Sequence, residues 1–205
     1  MNTFTKRGEI AGPAGPLSVA VDTTTDLPTR GLAVVCHPHP LQGGTMDNKV
    51  VTTVARALTQ RGWRVVRFNY RGVGGSAGAW DEGRGEVDDA LAVIAAHRVA
   101  GEPLVLGGFS FGGYVAASAA AKLPEADRPR QMVLVAPSTI KHHAPPVVAD
   151  TLLVHGEADD VVPLSASMDW ARPQALPVVV VPGAGHFFHG QLVLLKALVV
   201  RHFAE

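Results

Sequence analysis

The 205-residue chain is predicted to fold as an α/β protein. The expected form is a three-layer α/β/α sandwich around a mostly parallel central sheet, and three observations carry that expectation. Short apolar runs alternate with helix-like segments along the whole length, the pattern of repeated strand–helix units. One run, Gly31-Leu32-Ala33-Val34-Val35-Cys36, is apolar or glycine throughout, as a strand covered on both faces must be. Finally, Gly108-Phe109-Ser110-Phe111-Gly112 spells G-x-S-x-G. It stands between the apolar run Pro103–Gly107 and the alanine-rich stretch Tyr114–Lys122, so a strand, a tight turn and a helix follow one another.

The elements read in order as follows. Met1–Ile10 is mixed and polar, without the apolar core of a signal peptide. After the Gly/Pro-rich segment Ala11–Pro16, Leu17–Val21 is expected to be the first strand, at an antiparallel edge. Thr23–Thr29 is a polar turn, Gly31–Cys36 a buried parallel strand, and His37–Met46 a loop broken by Pro38, Pro40, Gly43 and Gly44. Asp47 or Asn48 can cap a helix that runs to about Arg61 and stops at Gly62. Arg64–Asn69 is the next strand, and Tyr70–Gly85 a glycine-rich loop. Glu86–His97 reads as a helix with acids in its first turn, where the helix dipole favours them. Beyond the serine turn come strands at Met132–Ala136 and Thr151–His155, a short helix at Pro163–Ala171, a last strand at Val178–Val181 and a closing amphipathic helix at Gly190–Phe203. Pro137–Asp150 is short and holds three prolines, which leaves no room for a large lid.

Composition narrows the class of protein. Apolar residues make up 47% and charged residues 18%, which suits a packed core and excludes a disordered chain. One domain over residues 1–205 is expected, since no linker and no internal repeat divides the chain. Basic and acidic side chains balance at 18 each with no basic block, so neither nucleic acid nor an anionic membrane is favoured as partner. No stretch approaches ~18 uninterrupted apolar residues, the length of a membrane span, and a cytoplasmic location is expected. Cys36 is the only cysteine; at the end of an apolar strand it reads as a small buried hydrophobe.

Ser110 is the expected nucleophile. Flanking glycines let the chain bend sharply at the serine, and the alternative, a serine that merely caps the next helix, leaves them unexplained. A serine hydroxyl needs a base to take its proton. His186 follows the last strand and the turn Pro182–Gly185, from where a histidine can swing over the sheet. His189 is its rival; His142 and His143 precede the acid-bearing strand and stand in the wrong order. Asp159 and Asp160 both follow the strand Thr151–His155 and could hold the imidazole. An oxyanion hole needs backbone N–H groups. Phe111 supplies one; of the loop after Gly31–Cys36, Pro38 and Pro40 have none to give, which leaves His39 or Leu41. Trp80, Phe109, Phe111, Tyr114, Phe187 and Phe188 cluster near these loops. Phe109 reads as core, Phe111 and Phe187 as pocket candidates beside the reacting groups, and Leu41 and Trp80 as further pocket candidates. No metal site is expected from His37, His39, His142 and His143, because no H-E-x-x-H or tight carboxylate arrangement accompanies them. Structural hydrogen bonding is the expected role of His37. Arg71–Gly75 lacks the G-K-[ST] of a phosphate loop, so no nucleotide is expected.

Four blocks and a histidine together resemble the α/β-hydrolase fold family over nearly the whole chain, and within it the small, lidless serine hydrolases of esterase type. The blocks are Cys36-His37-Pro38-His39-Pro40 with Gly43-Gly44-Thr45-Met46, then Arg71-Gly72-Val73-Gly74-Gly75-Ser76, the serine turn, and His155-Gly156-Glu157-Ala158-Asp159 followed by Val162-Pro163; Gly185-His186-Phe187 completes the set. The resemblance implies that Asp159, not Asp160, is the orienting acid, that His39 supplies the second oxyanion N–H, and that Arg71–Gly75 is a packing turn beside the serine. It implies a serine hydrolase that cleaves small to medium carboxylic esters through an acyl-enzyme. No cofactor is implied, the partner is a small-molecule ester, and the chain is a monomer or homodimer. Thioesters and amides stay open as substrates, as does a non-catalytic binding role on the same fold. Dienelactone-hydrolase-like enzymes carry cysteine where this chain has Ser110, and the chain has no length for the propeller domain of S9-type aminopeptidases.

Overall fold

The computed structural model describes residues 3–204; Met1 and Asn2 of the polar leading segment, and Glu205, lie outside the described residues. Gly31–Cys36 forms strand β3 at the centre of an eight-stranded sheet. Its side chains alternate between two packed layers: Leu32, Val34 and Cys36 face one, Ala33 and Val35 the other. This two-sided burial is why the run is apolar at every position.

The other strands are β1 (Thr3–Gly12), β2 (Gly15–Thr24), β4 (Trp63–Phe68), β5 (Leu104–Phe109), β6 (Gln131–Val135), β7 (Thr151–Gly156) and β8 (Val178–Val181). Their order in the sheet is β1-β2-β4-β3-β5-β6-β7-β8. The pairs β1–β2 and β2–β4 are antiparallel and all others parallel. Helices α1 (Lys49–Gln60) and α5 (Leu192–His202) cover one face, where Val51, Leu58, Leu195 and Val199 pack on Val35, Val105 and Val154. Helices α2 (Arg84–His97) and α3 (Phe111–Lys122) cover the other, with Val87, Val93, Ile94 and Val115 on Leu32, Val34, Leu106 and Leu134. A short helix, α4 (Leu164–Ala171), lies between β7 and β8. The result is a three-layer α/β/α sandwich with no large lid. Asn48, not Asp47, caps α1: its side chain accepts from the Val50 and Val51 N–H groups.

One expectation needs correction. Leu17–Val21 is neither the first strand nor the edge. It lies inside β2, and β1 pairs outside it across a two-residue turn at Pro13-Ala14, with Gly12 opposite Gly15. Strand β1 carries Lys6, Arg7 and Glu9 and is mostly exposed, so no apolar period marks it. Charges on an edge strand also discourage pairing with another chain.

The glycine-rich loop after β4 is anchored from beneath. Asp89 of α2 is wholly buried and takes the Arg71 guanidinium (Nη2–Oδ1 2.8 Å) and the Arg71 backbone N–H (2.9 Å). Glu86, also buried, accepts from the Asp81 and Gly83 N–H groups. Removing one partner of a buried pair strands the other charge. Asp89→Ala is therefore expected to lower unfolding free energy by about 3–5 kcal/mol in urea titrations, and Asp89→Asn by less, since the amide oxygen still accepts the Arg71 N–H.

Candidate active site

Strand β5 ends at Phe109, α3 begins at Phe111, and Ser110 between them has φ 55° and ψ −120°. A non-glycine residue in such a region costs about 1–3 kcal/mol and persists only where neighbours over-determine it. They do so here. The Ser110 N–H donates to the Val135 carbonyl of β6 (3.0 Å), and the Ser110 carbonyl accepts from the Gly113 (2.9 Å) and Ser138 (3.0 Å) N–H groups. A Cβ on Gly108 would overlap the Gly112 carbonyl, and a Cβ on Gly112 would overlap the Cys36 carbonyl oxygen at the end of β3. Both glycines are thus sites of close backbone approach. Ser110 occupies the position before α3 but makes no side-chain capping bond, so its hydroxyl is not spent on the helix.

Asp159 lies in the loop after β7, and its side chain is completely covered. Its Oδ1 accepts from the Val161 (2.9 Å) and Val162 (2.8 Å) N–H groups, and its Oδ2 stands 2.7 Å from His186 Nδ1. Burial by itself would raise the Asp159 pKa. The side-chain bonds of His155 and His186, the Val162 N–H and the charge of His186 outweigh it and hold the carboxyl well below the usual carboxylate range. Asp160, next in sequence, is exposed.

His186 sits in the loop between β8 and α5 and is buried. With Nδ1–H given to Asp159, the neutral ring keeps a lone pair on Nε2, the tautomer a base requires. The ring packs on Phe109 (centroids 4.9 Å), the residue before Ser110, and on Phe187 (5.1 Å). That packing brings the imidazole to the serine turn. His189 is exposed and lies three residues before the start of α5, with its ring on Phe187.

The loop after β3 is held by His37. Its Nδ1 donates to the Pro38 carbonyl (2.7 Å), its Nε2 accepts from the Tyr70 N–H (3.2 Å), and the Tyr70 hydroxyl donates to the His37 carbonyl (3.1 Å). Burial lowers the His37 pKa to about 3 against the raising effect of the Pro38 carbonyl, so the ring is neutral. Next, the His39 carbonyl closes a single 3-10 turn, Pro40–Gln42, by accepting from the Gln42 and Gly44 N–H groups (both 3.1 Å). Leu41 lies inside that turn with its side chain in solvent (69% exposed). The missing Cβ of Gly112 lets the start of α3, with the Phe111 N–H at its first residue, press on the Cys36 and His37 carbonyls. That N–H is one of the amides a helix start leaves without an intrahelical acceptor.

Beside the serine turn stands an aromatic wall. His39 packs on Trp80 (4.6 Å) and Phe111 (5.2 Å); His142 packs on Phe111 and Tyr114 (both 5.2 Å). Phe111 and Phe109 are buried, whereas Trp80 is half-buried and Phe187 exposed. His142 is a lining residue that sequence reading missed; it bonds through Nδ1 to Ser138 Oγ (3.0 Å), next to the Ser110 carbonyl. His155 is a second omission, a fully buried ring 3.3 Å from Asp159. Cys36 is packed in the core and burial pushes its thiol up to about 12, against a lowering bond from Tyr70, so it is no nucleophile. Among the described residues no group of three or more His, Cys, Asp or Glu side chains is placed to hold a metal, and no helix is long and apolar enough to cross a membrane.

This geometry can be set beside known proteins. The model of the serine aminopeptidase S33 family matches residues 28–150. An α/β serine hydrolase without lid from Xanthomonas campestris is 39% identical, covers 100% of this chain and 95% of its own, and superposes with a TM-score of 0.89. An α/β serine hydrolase homologue from Coxiella burnetii is 41% identical over 96% of each chain, with a TM-score of 0.86. An uncharacterized protein of Rickettsia prowazekii is 42% identical over 118 residues, 56% of this chain and 49% of that protein, so the chain spans about half the length of this curated relative. Fold and comparisons together place the chain among lidless α/β hydrolases of serine-hydrolase type. The chain belongs to the α/β-hydrolase fold family, in the group that the serine aminopeptidase S33 model describes.

The depressed Asp159 pKa has a consequence for stability. Its charge contributes fully above the unfolded carboxyl pKa of about 4, and the contribution is lost as acid protonates the folded carboxyl below that range. As pH falls from about 5, the thermal midpoint of the wild type is expected to drop more steeply than that of Asp159→Asn.

Proposed function

We propose that the protein hydrolyses small to medium carboxylic esters by acyl transfer, with Ser110 as nucleophile, His186 as base and acid, and Asp159 as the orienting carboxylate. The observation that carries this reading is the 2.7 Å bond between Asp159 Oδ2 and His186 Nδ1, made beside a serine in strained backbone between two close-approach glycines. Ser110 Oγ attacks the ester carbonyl while His186 Nε2 takes its proton. The N–H groups of Phe111 and His39 receive the developing oxyanion. His186 then gives the proton to the departing alcohol, and the same ring activates the water that frees the acid. Trp80, Leu41 and Phe187 form the mouth. An aromatic, lidless rim suits soluble esters of modest size, because no mobile cover is there to shield a long chain.

The family description favours a second reading, cleavage of an amide next to a free amino terminus. Such a substrate needs a carboxylate for its ammonium. The acids beside Trp80 are engaged: Asp81 and Glu82 by Arg84, and Glu86 by backbone amides. That supports the ester.

Fluorophosphonate labelling read by intact mass, with a p-nitrophenyl ester series run beside aminoacyl p-nitroanilides, tests the proposal. One adduct is expected on the wild type and none on Ser110→Ala, whose ester turnover is expected to fall by about 10⁴- to 10⁶-fold. An unlabelled, inactive but folded wild type would favour the binding role, and faster anilide than ester turnover the peptidase.

A further inference from the structure

We infer that His155 is a positioning residue for the acid, acting from behind Asp159. The inference rests on the reading of Asp159 and His186 given above. His155 is the last residue but one of β7 and is wholly buried. Its Nε2 lies 2.8 Å from the Val162 carbonyl and 3.3 Å from Asp159 Oδ2, the same oxygen that holds His186; its Nδ1 lies 2.8 Å from Ser167 Oγ of α4. A carbonyl only accepts, so a ring with one proton carries it on Nε2, and Ser167 donates to Nδ1. Ser167 is itself buried and sets the ring.

His155 therefore reaches Asp159 by two routes. It holds the Val162 carbonyl, on the residue whose own N–H binds Asp159 Oδ1, and its N–H passes close to Oδ2. Among the described residues, the other groups facing the carboxylate are these. His186 comes from the β8–α5 loop and the Val161 and Val162 amides from its own loop. Glu157 is turned away to accept the Gly183 N–H (2.9 Å), and Asp160 is exposed. A donor on Oδ2 draws negative charge away from His186. Without it, Asp159 would hold the imidazolium more strongly.

Two amides divide the functions of the ring. Glutamine at 155 can place its N–H where Nε2 stands, toward Val162 and Asp159; asparagine reaches only the Nδ1 position, toward Ser167. The proposal expects His155→Gln to keep kcat/KM for a p-nitrophenyl ester within a few-fold of wild type. It expects His155→Asn to lose about 10- to 100-fold, with the acid limb of the pH profile moved up. A role in packing alone would lower both variants alike and leave the limb in place, which would overturn it. If His155→Asn does not fold, Ser167→Ala decides: a few-fold loss with the limb moved up supports the proposal, and an unmoved limb overturns it. Ser110→Ala in the same assay separates the parent reading: if it retains turnover, the triad assignment has failed and not the role of His155.

Discussion

The site depends on one tight crossing of backbone. The end of β5, the start of α3 and the end of β3 approach so closely that only glycine fits at positions 108 and 112. That approach forces Ser110 into a strained conformation and brings the start of α3 against the Cys36 and His37 carbonyls. The cost, about 1–3 kcal/mol, is offset by three backbone hydrogen bonds around Ser110, to Val135, Gly113 and Ser138. Strand β6 thus supports the serine as directly as its own strand does. A parallel sheet buried on both faces makes this possible, because β3, β5 and β6 are neighbours and end at the same side.

The proposed acid and base use a different device. Neither Asp159 nor His186 lies on a helix or strand, yet both are buried and tightly bonded. Asp159 has two backbone amides on one oxygen and is approached by two imidazoles on the other. Such a carboxylate cannot rotate without breaking several charge-assisted bonds. It holds His186 in one tautomer, while Phe109 beneath the ring fixes its plane. Rigid loops thereby give what secondary structure gives at the serine, a side chain with little conformational freedom left to lose.

What could be read from the chain follows from which interactions are local. β3 was legible because burial on both faces leaves an unbroken apolar run. The serine turn was legible because its glycines answer a steric need within five residues. Asp159 stood beside Asp160 with nothing local to separate them, and only the family resemblance chose between them. β1 was illegible since an exposed edge strand carrying Lys6, Arg7 and Glu9 has no apolar period. His155 read as the end of a strand. What surrounds it depends on Ser167, twelve residues on, packing beneath it from α4. The aromatic wall was legible in its members Trp80 and Phe111 but not in His142, whose ring partners Phe111 and Tyr114 belong to α3, far back in the chain.

The central claim is that a covalent acyl group passes through Ser110. Acid-quenching the protein during turnover of p-nitrophenyl acetate, followed by peptide mapping, tests it at the atom concerned. The account predicts an acetyl group on the peptide that carries Ser110 in the wild type and on no other peptide. Ester turnover with the acetyl on a different residue, or with none trapped on the Ser110 peptide, would contradict it.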